Sequence, residues 1–485
     1  MFQEIRRLTK HTLIYGVGHI FSGLVGFLLL PLHTHLLPAE SLGALAMLRM
    51  SLAFGHLCVL HGLEVGFVQY FGGRAPADER RRLLSTVFWA AGLVGMVVGL
   101  ALWFGAGAIA ARIPAVVDWE PLFRISAVIL LLDALATPLF LALRAEERSR
   151  RYVGIRMTEL GVDLVGNCVL IGFLGFGLIG VFWSQLAGRL VAGSLLLPGV
   201  RQYLGWTFSR VDWKHAMQFG LPAATAGVAL LVVDVGDRWF ITRLLNVAAT
   251  GVYFAGYRIA MAMALIVAAF RFAWHPFFLS IKEQADAPMI FSRILTYYVL
   301  IAGWVCLTLS LLAEDIVQVN IAGFTLFGEE YLGGLPIVPV IALSYLLYGV
   351  YSNLDVGVYV KEKTRIVPLI IGLGALVNIG LNWLLIPRMG LMGAAAATAA
   401  AYLTMCVCMY AASRRLLYIQ YEWGRIGIVM LIACALYAVG AFARHWVADL
   451  LLAAMYPGML YLFGFFRPSA LSRLTGAIRK RLTDQ

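Results

Sequence analysis

Residues 42–71 read LGALAMLRMSLAFGHLCVLHGLEVGFVQYF. Wound as a helix, this apolar run is long enough to cross roughly 30 Å of hydrocarbon. It nevertheless carries Arg49, His56, His61 and Glu64. A charge at the centre of a bilayer costs about 2.5–3.5 kcal/mol even on insertion scales, so each of these groups needs a partner or water beside it. At about 100° per residue the four fall within about 140° of arc, on one half of the helix. One face for lipid and one for a wet interior is the pattern of a helix inside a membrane bundle.

The rest of the chain repeats that pattern. Apolar stretches of about 20 residues cover 12–32, 42–71, 83–108, 122–143, 153–174, 178–200, 217–240, 251–277, 294–312, 335–360, 366–386, 391–412, 426–442 and 448–466. Mean hydropathy is +0.84 over 485 residues, and 13% of residues are charged, against about a quarter in soluble domains. A closed barrel would show alternating strands of about 10 residues instead. The expected fold class is an all-α integral membrane protein of about fourteen transmembrane helices.

Basic residues cluster at alternate span ends: Arg6, Arg7 and Lys10, then Arg74 and Arg80 to Arg82, then Arg144, Arg148, Arg150 and Arg151. The series continues through Arg201, Arg210 and Lys214, Lys282 and Arg293, Lys361, Lys363 and Arg365, and Arg414, Arg415 and Arg425 to the basic tail at Arg467 to Arg481. Cytoplasmic loops retain positive charge, so both termini are expected on the cytoplasmic side of a bacterial inner (plasma) membrane. About 27 of the 38 basic residues lie there, so the net charge of +12 gives no reason to expect nucleic acid as a partner. Attraction to anionic headgroups of membrane lipids is the inference it supports. The first stretch is long, Gly-rich and followed at once by further spans, so it reads as a retained helix rather than a signal peptide.

The residues indicate no cofactor. All six cysteines sit within apolar spans without a Cys-x-x-Cys pair and read as buried thiols. His33 and His35 offer too few ligands for a metal by themselves. Gly16 and Gly18 follow no strand, and no Gly-rich Lys-Ser/Thr loop occurs, which excludes direct ATP hydrolysis by a phosphate loop. The longest outer segment, 313–334, has roughly the length of one helix, so function is expected within the bundle.

Further polar residues lie inside the spans. Arg156, Glu159, Asp163 and Asn167 fall within about 80° of arc and form one stripe, either lining a cavity or locking helices together. Gln185 and Arg189 are one turn apart, whereas Arg258 and Arg271 are about 140° apart on their helix and do not suit one ligand. Asp234 and Asp237, about one turn apart, are candidates for proton or sodium coupling, and Asp237 with Arg238 also reads as a packing contact. Asn378 and Asn382 share a face and are expected to bond between helices. Trp239, Trp383 and Tyr418 read as interfacial anchors.

Gly43 to Arg49 is echoed by Gly251 to Arg258, which suggests two parallel six-helix halves. The expected organisation is a lobe of residues 1–200, a pseudo-symmetric lobe of residues 201–413, and two additional transmembrane helices with a basic tail over 414–485. The echo puts Arg49 and Arg258 at matching places in the two halves, and guanidinium groups bind phosphate anions in bidentate fashion.

Three segments carry a resemblance to a known family: YGVGHIFSGLVGFLLLPLHTHLLPAESLGAL from Tyr15, FGLPAATAG from Phe219 with DRWF from Asp237 and GVYFAGYRIA from Gly251, and NIGLNWLLIPRMGLMGAAAAT from Asn378. Together they resemble the polysaccharide exporters, or Wzx-type O-antigen flippases, of the MOP superfamily, to which the MATE exporters and lipid II flippases are related. His33 and His35 stand where that family often has Tyr and a basic residue. The resemblance implies a flippase that carries an undecaprenyl-diphosphate-linked oligosaccharide, a unit of lipopolysaccharide O-antigen or another surface polysaccharide, to the outer leaflet by alternating access. It implies substrate contacts from cavity arginines on these helices: Arg49 and Arg258, joined by His19, His56 and Arg189. His61, Glu64, Glu159, Asp163 and Asp234 are the candidates for ion coupling. Polysaccharide polymerase or assembly proteins are possible partners. Two alternatives stay open, an exporter of organic cations from the same superfamily and a membrane enzyme of polysaccharide assembly.

Overall fold

Thirteen of the fourteen apolar stretches are helical over most of their length and the first is helical from Val25, in a computed structural model that describes residues 25–71, 77–200, 204–320, 325–443, 445–463 and 465. No strand occurs among the described residues. The helices are α1 (Val25–Leu36), α2 (Ala39–Leu60), α3 (Leu63–Phe71), α4 (Ala77–Ala110), α5 (Trp119–Ala145), α6 (Ser149–Asn167), α7 (Gly177–Val200), α8 (Arg210–Val235) and α9 (Asp237–Leu244). There follow α10 (Val247–Ile281), α11 (Ala287–Gln318), α12 (Val338–Leu354), α13 (Val356–Val360), α14 (Val367–Met389), α15 (Leu391–Leu416), α16 (Trp423–Ala443) and α17 (Trp446–Leu462).

Eleven helical segments among the described residues are long and apolar enough to cross a membrane, a smaller count than the fourteen spans expected. Part of the difference is physical. Helix α6 holds Arg150, Arg151, Arg156, Glu159 and Asp163 within 19 residues and is too polar to count. Helices α1 and α17 are shorter apolar helices, and the start of the first stretch lies outside the described residues.

Three stretches that read as continuous are broken. His61 at φ 35° and Gly62 at φ 86° enter the left-handed region, which Gly takes freely and His seldom does, and they divide α2 from α3. Gly236 divides α8 from α9, and Asp355 divides α12 from α13. A π turn over Cys168–Phe173 extends α6. Each interruption has a polar side chain beside it, as in transporters whose sites form at discontinuous helices.

Helix α10 runs through the middle, packed against α2, α11 and α12. Close backbone approaches hold it. A Cβ at Gly43 would overlap the Val247 carbonyl, one at Gly251 the Ala39 carbonyl, and one at Gly256 the Gly334 carbonyl. Small residues let membrane helices meet this closely, where dispersion and weak polar contacts replace the hydrophobic effect as the attraction. At the far end of the α2–α3 span, roughly 28 Å away at 1.5 Å per residue, Gly62 meets Gly220 and Gly66 meets Ala216 of α8 in the same manner.

Around the Gly43 end, Tyr331 donates to the Leu37 carbonyl at 2.6 Å and the Ala39 amide donates to Glu330 at 3.3 Å. Helices α16 and α17 lie on α11, where Trp304 Nε1 donates to the Ala453 carbonyl at 2.8 Å.

Candidate functional site

A cavity of about 750 Å³ opens among α2, α3, α5, α6, α7 and α8. Its wall receives Arg49 and His56 from α2 and Glu64 from α3, so the break at His61–Gly62 leaves both helices facing the same space. Helix α5 adds Asp133, Thr137 and Arg144, α6 adds Tyr152 and Arg156, α7 adds Gln185 and Arg189, and α8 adds Asp234. Leu52, Ile129, Phe140 and Leu230 supply apolar surface between them.

Ion pairs organise most of these charges. Arg189 Nε lies 2.7 Å from Asp133 Oδ1, and its Nη1 contacts Glu159 Oε1. Arg156 donates to the other oxygen of Glu159 at 2.9 Å and sits 3.8 Å from the centroid of the Phe140 ring. Glu159, itself only 5% exposed, therefore anchors both arginines from behind the wall. His56 Nε2 is 3.6 Å from Glu64 Oε1.

Arg49 is different. Among the described residues no hydrogen bond or ion pair holds its guanidinium, and its Nε has no partner. The group lies 5.9 Å from the centroid of Phe254. Arg258 stands 5.0 Å from the same ring and donates to the Gly26 carbonyl at 2.6 Å. Asp163 is the carboxylate in electrostatic range of both arginines. It accepts a hydrogen bond from Asn167 at 3.0 Å, and Asn167 Oδ1 lies 3.0 Å from the buried His33 ring.

Of the residues singled out in the sequence, Arg49, His56, Arg189, Glu64 and Asp234 reach the cavity wall. Arg258 does not: it is buried away from the wall, with its side chain bonded to the carbonyl of Gly26. His61 is absent from the wall as well, since it caps α2 and its ring bonds the Val59 carbonyl at 2.8 Å. Glu159 and Asp163 lie behind the wall, and His19 is outside the described residues.

The expected bond of Asn378 and Asn382 between helices is corrected. Asn382 donates to the Asn378 carbonyl and side chain, both at 2.9 Å, because one turn of α14 brings them together. Asp237 and Arg238 pair at 2.8 Å, with Tyr253 donating to Asp237. Asp234 faces the cavity on one side and accepts from the Tyr257 and Tyr345 hydroxyls at 3.0 Å on the other. Asp133 and Arg144 were not singled out for the site; Asp133 is the one acid in the stretch 122–143, which is the signal that marks it.

This arrangement of broken helices around a charged cavity defines a class. In fold the chain matches the lipid II flippase MurJ in an inward closed conformation, with a TM-score of 0.76, 12% identity, and coverage of 94% of this chain and 100% of that one. It also matches multidrug resistance MATE family transporters of the MOP superfamily: an inward-facing one (TM-score 0.63, 13% identity, 81% of this chain and 94% of that one) and an outward-facing one (TM-score 0.61, 14% identity, 84% and 95%). No curated protein matches the chain in sequence. The profile of the family described as polysaccharide biosynthesis protein matches residues 34–333, and the chain belongs to that family.

Proposed function

We propose that the chain is a flippase that moves an undecaprenyl-diphosphate-linked oligosaccharide from the cytoplasmic to the outer leaflet by alternating access. The observation that carries this reading is the cavity with Arg49 in its wall, a guanidinium held by no hydrogen bond or ion pair among the described residues. A diphosphate is an anion that suits such a group, through paired N–H donors. At about 750 Å³ the cavity lies within the ~300–1,000 Å³ of small-ligand sites, enough for the diphosphate and first sugars while the lipid tail stays in the bilayer. Arg258, which is not in the wall, adds its positive field without touching the substrate. Arg144, Arg156 and Arg189 extend the basic wall beyond Arg49.

Membership in the polysaccharide biosynthesis family supports the substrate class, and the likeness to MurJ supports a lipid-linked one. The two MATE conformations support rocking of lobe 1–200 against lobe 201–413, with the helices of 414–485 as an addition. On this reading both termini are cytoplasmic in the inner membrane, and Glu64 and Asp234 are the coupling candidates within reach of cavity water.

The test is reconstitution into vesicles with a labelled lipid-linked oligosaccharide. Arg49→Ala is expected to lower transbilayer movement by at least about tenfold, the loss of one charge-assisted contact of ~1.5–3 kcal/mol, and Arg258→Ala by less. Unchanged movement in Arg49→Ala rejects the site. The acids Glu64, Asp133 and Asp234 favour a second reading, export of an organic cation. Movement of a fluorescent cation but not of the lipid-linked sugar in the same vesicles would select it.

A further inference from the structure

The cavity leaves unused a group of buried polar atoms in the second half. Asp355 is 5% exposed and its Oδ1 has no hydrogen-bond partner among the described residues. Ser352 Oγ one turn earlier, Arg271 Nε and Trp274 Nε1 on α10, and the Tyr421 hydroxyl are unpartnered as well. Buried polar atoms are nearly always satisfied, so a concentration of them marks a place that holds water or changes its bonding between states.

The groups facing Asp355 define its chemistry. From α10, His275 Nε2 lies 3.9 Å from Asp355 Oδ2, and Arg271 is a cation in range of both groups. Arg271 is itself turned to the Tyr348 hydroxyl and stacked 4.6 Å from that ring. Tyr348, Tyr351 and Tyr359 stand around Asp355 on its own span, Tyr421 approaches from the segment after α15, and Tyr402 of α15 packs on Tyr348 at 5.2 Å. The His275 side chain is 33% exposed against 7% for Asp355, so it is the accessible member of the pair.

Both partners sit at weak points of their helices. Asp355 occupies the break between α12 and α13. His275 immediately precedes Pro276, inside α10, whose missing N–H leaves the Phe272 carbonyl without its helical donor and lets the helix bend there.

We infer that His275 and Asp355 form a proton-binding site, separate from the cavity, whose occupancy bends the ends of α10 and α13 toward each other. A proton from water adds to His275 Nε2, and the imidazolium N–H then donates to the Asp355 carboxylate. A charge-assisted bond spans about 2.7–2.9 Å, so the 3.9 Å gap closes by about 1 Å and carries the helix beyond Pro276 with it. Release of the proton to water restores the open gap. Its use to drive substrate movement rests on the flippase reading; the site itself does not.

Two measurements separate these. Spin labels at Lys282→Cys and Lys361→Cys, with the six native cysteines replaced, report the distance between the ends of α10 and α13 in the purified full chain. A shift to shorter distances on acidification is expected, and is expected to vanish in both His275→Gln and Asp355→Asn. A distance insensitive to pH, or a shift that persists in both variants, overturns the site. In vesicles with an imposed pH gradient, both variants are expected to keep the rate of lipid-linked oligosaccharide movement seen without a gradient and to lose its acceleration by one. If the wild type moves no such lipid while the distance shift is lost in the variants, the site stands and the flippase reading falls.

Discussion

Arg189 and Arg238 are each paired with an aspartate at nearly the same distance, 2.7 Å to Asp133 and 2.8 Å to Asp237, in different solvents. The first pair lines the cavity, with side chains 25% and 21% exposed; the second is sealed among helices at 5% and 0%, with Tyr253 on the acid and the Tyr257 ring 4.2 Å from the guanidinium. The bond length does not tell them apart. Their surroundings do: loss of one partner at the cavity exposes the other to water, while loss of one partner in the sealed pair strands a charge in a low dielectric. Intramembrane charge in this molecule therefore serves two ends, a wet wall at Arg189 and Asp133 and a dry fastening at Arg238 and Asp237.

The sharpest way to break that contrast is Arg238→Met. It should destabilise the fold by about 3–5 kcal/mol, the cost of an uncompensated buried carboxylate, seen as a large drop in thermal denaturation midpoint in detergent. A midpoint close to wild type would show that water reaches the sealed pair and that the two regions do not differ. Glu159→Gln lies between the extremes: Arg156 and Arg189 lose a shared acid, but Asp133 and cavity water remain, so a loss of about 1–3 kcal/mol is expected in the same assay. Glu120 and Arg124 form a pair one turn apart with both side chains more than 40% exposed. Arg124→Ala should change stability by no more than about 0.5 kcal/mol, and a loss as large as that of Glu159→Gln would mean that exposure is a poor guide here.

The sequence discloses the helices well because apolar length is a local property. It also discloses the polar face of 42–71, since Arg49, His56 and Glu64 all reach the cavity. What it hides depends on distant chain. Arg258 looked equivalent to Arg49 by its place after a glycine, but its direction is set by a carbonyl of α1, 232 residues away. Asn378 and Asn382 share a face, as the helical period requires, and the period cannot say whether the partner is across the gap or one turn along the same helix. The division at His61 was hidden by the residue itself, because histidine rarely takes a left-handed backbone; Gly62 beside it was the readable mark.

The bare-backbone contacts at the two ends of the α2–α3 span have a mechanical consequence. Where Gly43 meets α10 and Gly62 meets α8, backbone lies against backbone, so at those points the surfaces can part or slide without dragging a bulky group out of a socket. In lipid, an apolar surface freed at one end is covered again by acyl chains at little cost. Contacts of this construction present a low barrier to being undone, a property that the proposed alternating access would require.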